Sequence, residues 1–144
     1  MTTPAQRHKA RHYAMQALYQ WRLSALEPAT IIEQFKADND LSNVDTVYFE
    51  ELLMNVVRNA ATLDKSYEPY LQDRSLLELD PITQALLRMA SYELAHRIDV
   101  PFQVVISEAV ALAKKFGAAE SHKFINAVLD RSALELRAVE KQAR

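Results

Sequence analysis

The chain has a single glycine, Gly117, in 144 residues. Tight β-hairpin turns depend on glycine or on pairs such as Asn-Gly, because their central residues take positive φ angles. A chain with one glycine can form few such turns, so an antiparallel sheet is disfavoured. Apolar residues instead recur at the three- and four-residue spacing of amphipathic helices. Together these observations predict an all-α fold of six to seven helices.

Prolines and capping residues indicate where the helices begin. Thr3 and Asp80 each precede a proline, and their side-chain oxygens are suited to accept a hydrogen bond from a first helical turn. Proline is favoured at the first helical position because its fixed φ angle suits a helix. The predicted helices run from Pro4 to about Ser24, from Pro28 through Phe35, from near Asp45 towards Pro69, from Pro81 through Ile98, from Phe102 to Phe116, and from Ser121 onwards.

The glycine lies between the last two of these helices. It follows Phe116 directly, so it is the predicted left-handed residue that ends that helix, and Ser121 is the predicted N-cap of the next one. Basic and aromatic side chains surround this turn, namely Lys114, Lys115, His122, Lys123 and Phe124. Either the turn only connects two helices, or it presents these side chains to a partner.

The composition is that of an ordinary folded domain. Hydrophobic residues make up 49% and charged residues 25% of the chain, and its length predicts one domain over residues 1–144. The absence of cysteine excludes disulfides, thiol nucleophiles and thiolate metal ligands. No apolar run approaches the roughly 18 residues of a membrane helix, and no signal-peptide core is present. The expected location is the cytoplasm.

Charge is distributed unevenly, although the net charge is only −2. Residues 1–26 carry four basic residues and no acidic one, whereas residues 33–80 carry eleven acidic and four basic residues. Such segregation suggests a polyanionic partner at the basic end and a basic partner at the acidic centre. Pairing of the two charges within the molecule explains the same distribution, and the sequence leaves both explanations open.

Residue combinations typical of catalysis or metal binding are weak in this sequence. His8 and His12 share one helix face, but they lie among arginines and lack a third ligand. Glu93 and His96 match one half of a di-metal motif whose second copy is absent. Glu108 borders an apolar stripe, where a carboxylate paired with an arginine is more common than a general base. We therefore predict a protein that is not an enzyme and has no metal site and no cofactor.

Four segments, spread in order over nearly the whole chain, carry a family resemblance. They are ARHYAMQALYQW, LDPITQALLRMASYEL, DVPFQVVISEAVALAKKFG and SHKFINAVLD. Together they resemble NusB, the family of bacterial transcription antitermination proteins. The block from EAVALAKKFG to KFINAVLD is the most specific part. It departs from the family pattern at Ala127, where glycine is usual, and in the AAE turn, which is usually more acidic.

The resemblance implies both a fold and a function. The fold is two small helical bundles packed together, in agreement with the all-α prediction. NusB proteins pair with the small-subunit ribosomal protein NusE, and the pair binds the single-stranded boxA element of nascent ribosomal RNA transcripts, so that RNA polymerase resists termination. A related domain occurs in ribosomal RNA cytosine methyltransferases, but those need a catalytic cysteine and a glycine loop that this chain lacks.

An RNA-binding surface combines two kinds of side chain. Basic groups contact phosphates, and aromatic or guanidinium planes stack on unpaired bases. Together with the resemblance, this predicts eight RNA-binding residues: Arg7, Lys9, Arg11, Tyr19, Lys115, His122, Lys123 and Phe124. For Tyr19 and Phe124 the alternative is burial in the core, because large aromatic side chains are commonly buried.

The protein partner implied by the resemblance, NusE, is expected to dock on the acidic centre, because ribosomal proteins are normally basic. Leu87 and Tyr92 fall outside the main apolar stripe of their helix, so we predict them as the apolar contacts of this interface. The RNA polymerase antitermination complex is a further implied partner. The alternative function is a helical protein-binding adaptor that does not touch nucleic acid.

Overall fold

The computed structural model describes residues 2–138 and 140, and within these residues the chain forms seven α-helices and no strand. The helices are α1 (Pro4–Ser24), α2 (Pro28–Asp38), α3 (Thr46–Arg58), α4 (Ala60–Tyr67), α5 (Pro81–His96), α6 (Phe102–Phe116) and α7 (Ser121–Leu136). Two short 3₁₀ turns, Glu68–Tyr70 and Leu76–Glu78, connect α4 with α5. The all-α prediction is confirmed. Among the described helices, none has the combination of length and apolarity that crossing a membrane requires.

Local capping chemistry sets the helix starts at Thr3 and Asp80, as predicted. Thr3 Oγ1 accepts a hydrogen bond from the Gln6 backbone N–H at 3.1 Å, and the Gln6 side chain accepts one from the Thr3 N–H at 2.8 Å. The Asp80 carboxylate accepts hydrogen bonds from the Thr83 N–H at 2.9 Å and from its hydroxyl at 2.8 Å. Each cap satisfies donors that the helix leaves open, which stabilises it by about 1 kcal/mol.

Helix ends depart from the predictions more than helix starts do. α2 continues past Phe35 to its end at Asp38, and α5 stops before Ile98. The long third helix breaks at Asn59 and not at Pro69, so one predicted helix is two. Asn59 leaves the helical region, with φ −113° and ψ 20°. Asparagine favours such boundaries because its side chain offers the backbone hydrogen bonds that compete with the helix.

The chain divides at this break into two compact units, Met1–Arg58 and Asn59–Arg144. In the first unit, α1 packs against α2 and α3, and α2 packs against α3. Phe35 and Phe49 belong to its core, with ring centres 5.8 Å apart, and the half-buried Tyr13 ring lies 6.3 Å from that of Phe35. The division into units does not test the prediction of one domain over residues 1–144, which stays a prediction.

In the second unit, α5 packs against α4, α6 and α7. A polar network ties α5 to α4. Arg88 donates two hydrogen bonds to the Asp64 carboxylate, at 2.9 and 2.8 Å, and the Tyr67 hydroxyl donates a third at 2.6 Å. All three side chains lie largely inside the protein, so the network holds charged groups where water has little access.

The C-terminal end of α5 is closed by Arg137, which follows α7 directly. Its guanidinium donates hydrogen bonds to the backbone carbonyl oxygens of Leu94 at 2.7 Å, Glu93 at 3.0 Å and Arg97 at 2.9 Å. It also pairs with the Glu140 carboxylate. The last carbonyl groups of a helix lack partners within the helix. Arg137 supplies one to Leu94 and adds a second donor to the Glu93 and Arg97 carbonyl oxygens, which also accept backbone N–H groups.

Gly117 ends α6 but does not take the left-handed conformation that we predicted. Its backbone is extended, with φ −86° and ψ 172°, and Glu120 takes the left-handed conformation instead, with φ 69°. Ser121 is the first residue of α7 and not its side-chain cap. Glycine is needed here for space, because a Cβ at this position would lie 2.5 Å from Ser121 Oγ and 2.8 Å from the Ala113 carbonyl oxygen. The prediction was wrong because close packing, and not backbone conformation, selects glycine.

Replacing Gly117 by alanine is therefore expected to lower the free energy of unfolding by roughly 1–3 kcal/mol. The backbone angles at Gly117 suit alanine, and where that is so the change from glycine to alanine normally stabilises a protein by about 0.4–1 kcal/mol. A decrease in the free energy of unfolding would therefore be due to the close contacts of the added Cβ. Chemical denaturation measures it. The double variant Gly117→Ala/Ser121→Ala should recover part of the loss, because only the contact with the Ala113 carbonyl remains. A single variant more stable than the wild type would contradict this explanation.

Candidate nucleic-acid interface

The two arginines predicted to bind phosphate on α1 both contact an aromatic ring of the protein itself. The guanidinium carbon of Arg7 lies 4.2 Å from the centre of the Tyr48 ring, and that of Arg11 lies 5.4 Å from it. Arg11 is only 2% exposed, so the expectation that it offers its charge at the surface is wrong. Arg7 keeps 27% side-chain exposure and lies 3.8 Å from the Asp45 carboxylate. Part of the basic charge of α1 is therefore used within the first unit.

Lys9 and Tyr19 are the exposed candidates on α1. Tyr19 is 38% exposed, which excludes the alternative that it belongs to the core. Lys9 is also exposed, and its charge contributes to the lowered pKa of Asp40, after the larger effect of hydrogen bonds with Ser42. A cation and an aromatic ring on the first unit thus remain accessible to a ligand.

The side chains considered for metal binding or catalysis have structural surroundings. The His12 and Gln16 side chains form a hydrogen bond of 2.8 Å, and Glu93 is 1% exposed within the second unit. The described residues contain no group of three or more His, Asp or Glu side chains placed to hold a metal ion. Glu108 lies at a shallow surface depression on α6, which is lined by Gln103, Val104, Ser107 and Glu108.

The turn between α6 and α7 carries the second group of predicted RNA-binding residues. Lys115 and Lys123 are exposed, and His122 is half-buried. Lys123 pairs with Glu120 at 2.6 Å, but both side chains are more exposed than buried, and such pairs contribute at most about 1 kcal/mol. A phosphate can therefore replace Glu120 as the partner at little cost. The N-terminus of α7 adds a potential that favours anions.

Phe124 lies in the first turns of α7 and is half-buried, so it is neither a core residue nor a fully exposed one. The guanidinium carbon of Arg74 lies over its ring, 4.1 Å from the ring centre. Arg74 itself is exposed, in the loop between the two 3₁₀ turns. Arg74 is not among the residues predicted from the sequence, because it lies far from Phe124 in the chain and no local pattern connects the two.

Leu87 and Tyr92 do not form an uncovered apolar surface. Leu87 is 0% and Tyr92 is 7% exposed. The expectation that Leu87 and Tyr92 are available to a partner is wrong, because other helices pack against several sides of α5 and not only against its main apolar stripe. Among the described residues of the second unit, the large apolar side chains that are exposed are Leu77, Ile98, Val104 and Leu134.

The eight predicted RNA-binding residues thus fall into two groups. Those on α1 belong to the first unit, and those around the turn between α6 and α7 belong to the second unit. Within the second unit, the structure brings one further cationic side chain, Arg74, to Phe124. RNA binding by either group stays a prediction.

Comparison with known proteins gives consistent matches. The model of the NusB family matches residues 8–134. The transcription antitermination protein NusB of Teredinibacter turnerae is 54% identical over 142 residues, which cover 98% of this chain and 96% of that protein. The solved structure of T. maritima NusB has a TM-score of 0.70 at 31% identity and covers 94% of both chains. A solved complex of the antitermination factors NusB and NusE with double-stranded RNA has a TM-score of 0.75 and covers 91% of this chain and 98% of that one; its 24% identity shows the fold alone.

Proposed function

The chain belongs to the NusB family, and from this premise we propose that it is a transcription antitermination factor that binds RNA together with the ribosomal protein NusE. The RNA is the single-stranded boxA element of nascent transcripts from ribosomal RNA operons. The bound complex modifies RNA polymerase so that it resists termination. In this role the protein acts in the cytoplasm through binding and not through catalysis.

The observation that carries RNA binding is the surface around the turn between α6 and α7. Exposed Lys115 and Lys123 offer charge to phosphates beside the N-terminus of α7, and the half-buried ring of Phe124 lies on the same helix start. Charge for the backbone combined with planar groups for the bases is the usual arrangement for single-stranded RNA. On the first unit, Lys9, Arg7 and Tyr19 offer the same two kinds of side chain.

NusE as the partner is supported by the acidic centre of the chain. Residues 33–80 carry eleven acidic and four basic residues, and a basic ribosomal protein is attracted to such a segment by long-range electrostatics. Leu87 and Tyr92 are buried, so the apolar contacts come from elsewhere. Leu77 is 95% exposed and lies within this acidic segment, which makes it our candidate contact.

The proposal is tested by titrating the protein with a short single-stranded boxA RNA and with a scrambled RNA of the same composition, with and without NusE. We expect tighter binding of the boxA RNA, and a further gain when NusE is present. A protein that binds NusE normally but neither RNA at any salt concentration is a helical adaptor, and that result would overturn the RNA-binding function.

Replacing Lys115 and Lys123 by alanine is expected to weaken binding of boxA and scrambled RNA about equally. Each lost phosphate contact reduces the slope of log K against log salt by about 0.7 for a single strand, because fewer counterions are released. Titrations at several salt concentrations measure this slope. Lys65→Ala, which removes an exposed lysine at the end of α4, serves as the control and should leave the slope unchanged. An unchanged slope in the double variant would show that these lysines do not contact phosphates.

A further inference from the structure

The contact between Arg74 and Phe124 changes how an RNA base can reach this surface. With the guanidinium carbon 4.1 Å from the ring centre, Arg74 covers one face of Phe124, which with His122 supplies the aromatic rings among the predicted RNA-binding residues of the second unit. A base therefore cannot stack on that face unless Arg74 leaves. The alternative is that the base stacks on Arg74 itself, because a guanidinium is planar and stacks on bases as aromatic rings do.

The loop that carries Arg74 is anchored against α7 at two points. The 3₁₀ turn Glu68–Tyr70 packs against α7, where burial and next Glu135 raise the pKa of Tyr70, and Arg74 lies over Phe124. Between them, Leu71 is buried and its carbonyl oxygen accepts a hydrogen bond from the Arg74 N–H at 3.2 Å. This hydrogen bond closes a tight turn from Leu71 to Arg74, and the turn brings Arg74 to the Phe124 ring.

The left-handed conformation of Gln72, with φ 61°, is part of this turn. A residue other than glycine takes this conformation at a cost, and it persists only where the surrounding structure holds it. The buried Leu71 and the hydrogen bond from the Arg74 N–H to its carbonyl oxygen supply that hold. The turn therefore determines where the backbone of Arg74 lies, beside the Phe124 ring.

The charges around Arg74 favour a stacking role over a phosphate contact. Asp73 precedes it, and Glu78 is close enough for the charge of Arg74 to contribute to its lowered pKa, after the larger effect of hydrogen bonds with Ser75. These two carboxylates weaken the attraction of a phosphate to this guanidinium, but they leave its planar surface available.

We propose that Arg74 is a base-stacking residue of the RNA surface, held over the Phe124 ring so that its outer face receives an unpaired base. The inference rests on the proposed function, because it assigns a role at the same RNA surface. The base then forms the third layer of a stack that begins with Phe124. Arg74 accordingly contributes to the preference for one RNA over another, whereas Lys115 and Lys123 contribute to affinity for RNA in general.

The test compares Arg74→Ala and Arg74→Lys in titrations with boxA RNA and scrambled RNA in the presence of NusE. Both variants are expected to bind boxA RNA about 5- to 100-fold more weakly, the range typical of a lost base stack, because lysine keeps the charge but has no planar face. Arg58→Ala is the matched control, since it removes an exposed arginine at the end of α3. It should alter boxA binding less than twofold. Circular dichroism verifies that each variant is folded.

Three results would overturn the inference. If Arg74→Ala binds boxA RNA as well as the wild type or better, Arg74 only covers Phe124, and the proposed function stands without it. If Arg74→Lys binds like the wild type while Arg74→Ala is weaker, Arg74 acts through its charge and not through stacking. If the wild type itself does not distinguish boxA from scrambled RNA, both the inference and the boxA part of the proposed function fail.

Discussion

Asp64→Ala is expected to lower the free energy of unfolding by about 3–5 kcal/mol, the range for breaking a buried ion pair from one side. The Asp64 carboxylate accepts both hydrogen bonds of Arg88 and the hydroxyl of Tyr67, and the side chains of Asp64 and Arg88 are 12% and 15% exposed. Removing the carboxylate leaves the Arg88 charge largely desolvated and without this partner. Chemical denaturation followed by circular dichroism measures the loss.

Asp73→Ala is the matched control for this experiment. Asp73 is an exposed aspartate in the loop after α4, and surface substitutions of this kind usually change stability by no more than about 0.5 kcal/mol. Tyr67→Phe should have a smaller effect than Asp64→Ala, because it removes one hydrogen bond and leaves the ion pair intact. A loss below about 1 kcal/mol in Asp64→Ala would mean that water replaces the carboxylate, and would contradict the argument from burial.

The same network predicts a dependence of stability on alkaline pH. Burial, and next the hydrogen bond to Asp64, raise the pKa of Tyr67 well above its ordinary value. Because the folded state holds the Tyr67 proton more tightly than the unfolded state, this contribution is complete below a pH of about 10 and is lost as the pH rises further. Tyr67→Phe should therefore make the decline of stability above that pH less steep.

Arg137→Ala is the second substitution with a large expected effect, a loss of about 3 kcal/mol or more in the free energy of unfolding. Arg137 is 4% exposed and donates hydrogen bonds to three carbonyl oxygens at the end of α5. Without the guanidinium the Leu94 carbonyl oxygen loses its hydrogen bond, whereas the Glu93 and Arg97 carbonyl oxygens keep those from the Arg97 and Val100 N–H groups. A buried polar group left without a partner costs about 1–3 kcal/mol, and each further hydrogen bond lost costs about 1 kcal/mol. Arg137→Lys keeps the charge but cannot reach three carbonyl groups at once, so it should recover only part of the loss.

Arg131→Ala is the control, because Arg131 is an exposed arginine on α7. It should change stability by no more than about 0.5 kcal/mol. Hydrogen exchange adds a local measurement, since the Arg97 N–H donates to the Glu93 carbonyl oxygen at 2.9 Å and should lose protection when Arg137 no longer holds that end of the helix. An Arg137→Ala variant with wild-type stability and unchanged exchange would show that solvent satisfies these carbonyl groups equally well.

The helical class, the helix starts and the family could be predicted from the sequence. Thr3 and Asp80 cap α1 and α5 through groups that lie only three residues further along the chain. Such interactions depend on local sequence and are visible in it. The family could be predicted for a different reason, since the four quoted segments resemble NusB over nearly the whole chain, and the family model matches residues 8–134.

The roles of individual side chains could be predicted less well. A helical pattern places Leu87 and Tyr92 off the main stripe of α5, but it does not reveal that neighbouring helices also cover that side. Arg11 has the sequence context of a surface cation, yet it lies buried against Tyr48. In each case burial depends on elements that are remote in the sequence, and amphipathic periodicity reports only the main apolar face.

By itself, then, the sequence determined what nearest neighbours along the chain can decide: helices in place of strands, their capped starts, and a pattern of residues typical of NusB proteins. The tertiary structure alone decided that Gly117 is needed for space beside Ala113, that Arg137 closes the end of α5, and that Arg74 lies over Phe124. The physical reason is one of range. Hydrogen bonds in a helix cap join residues a few positions apart, whereas close packing and side-chain stacking join surfaces that only folding brings together.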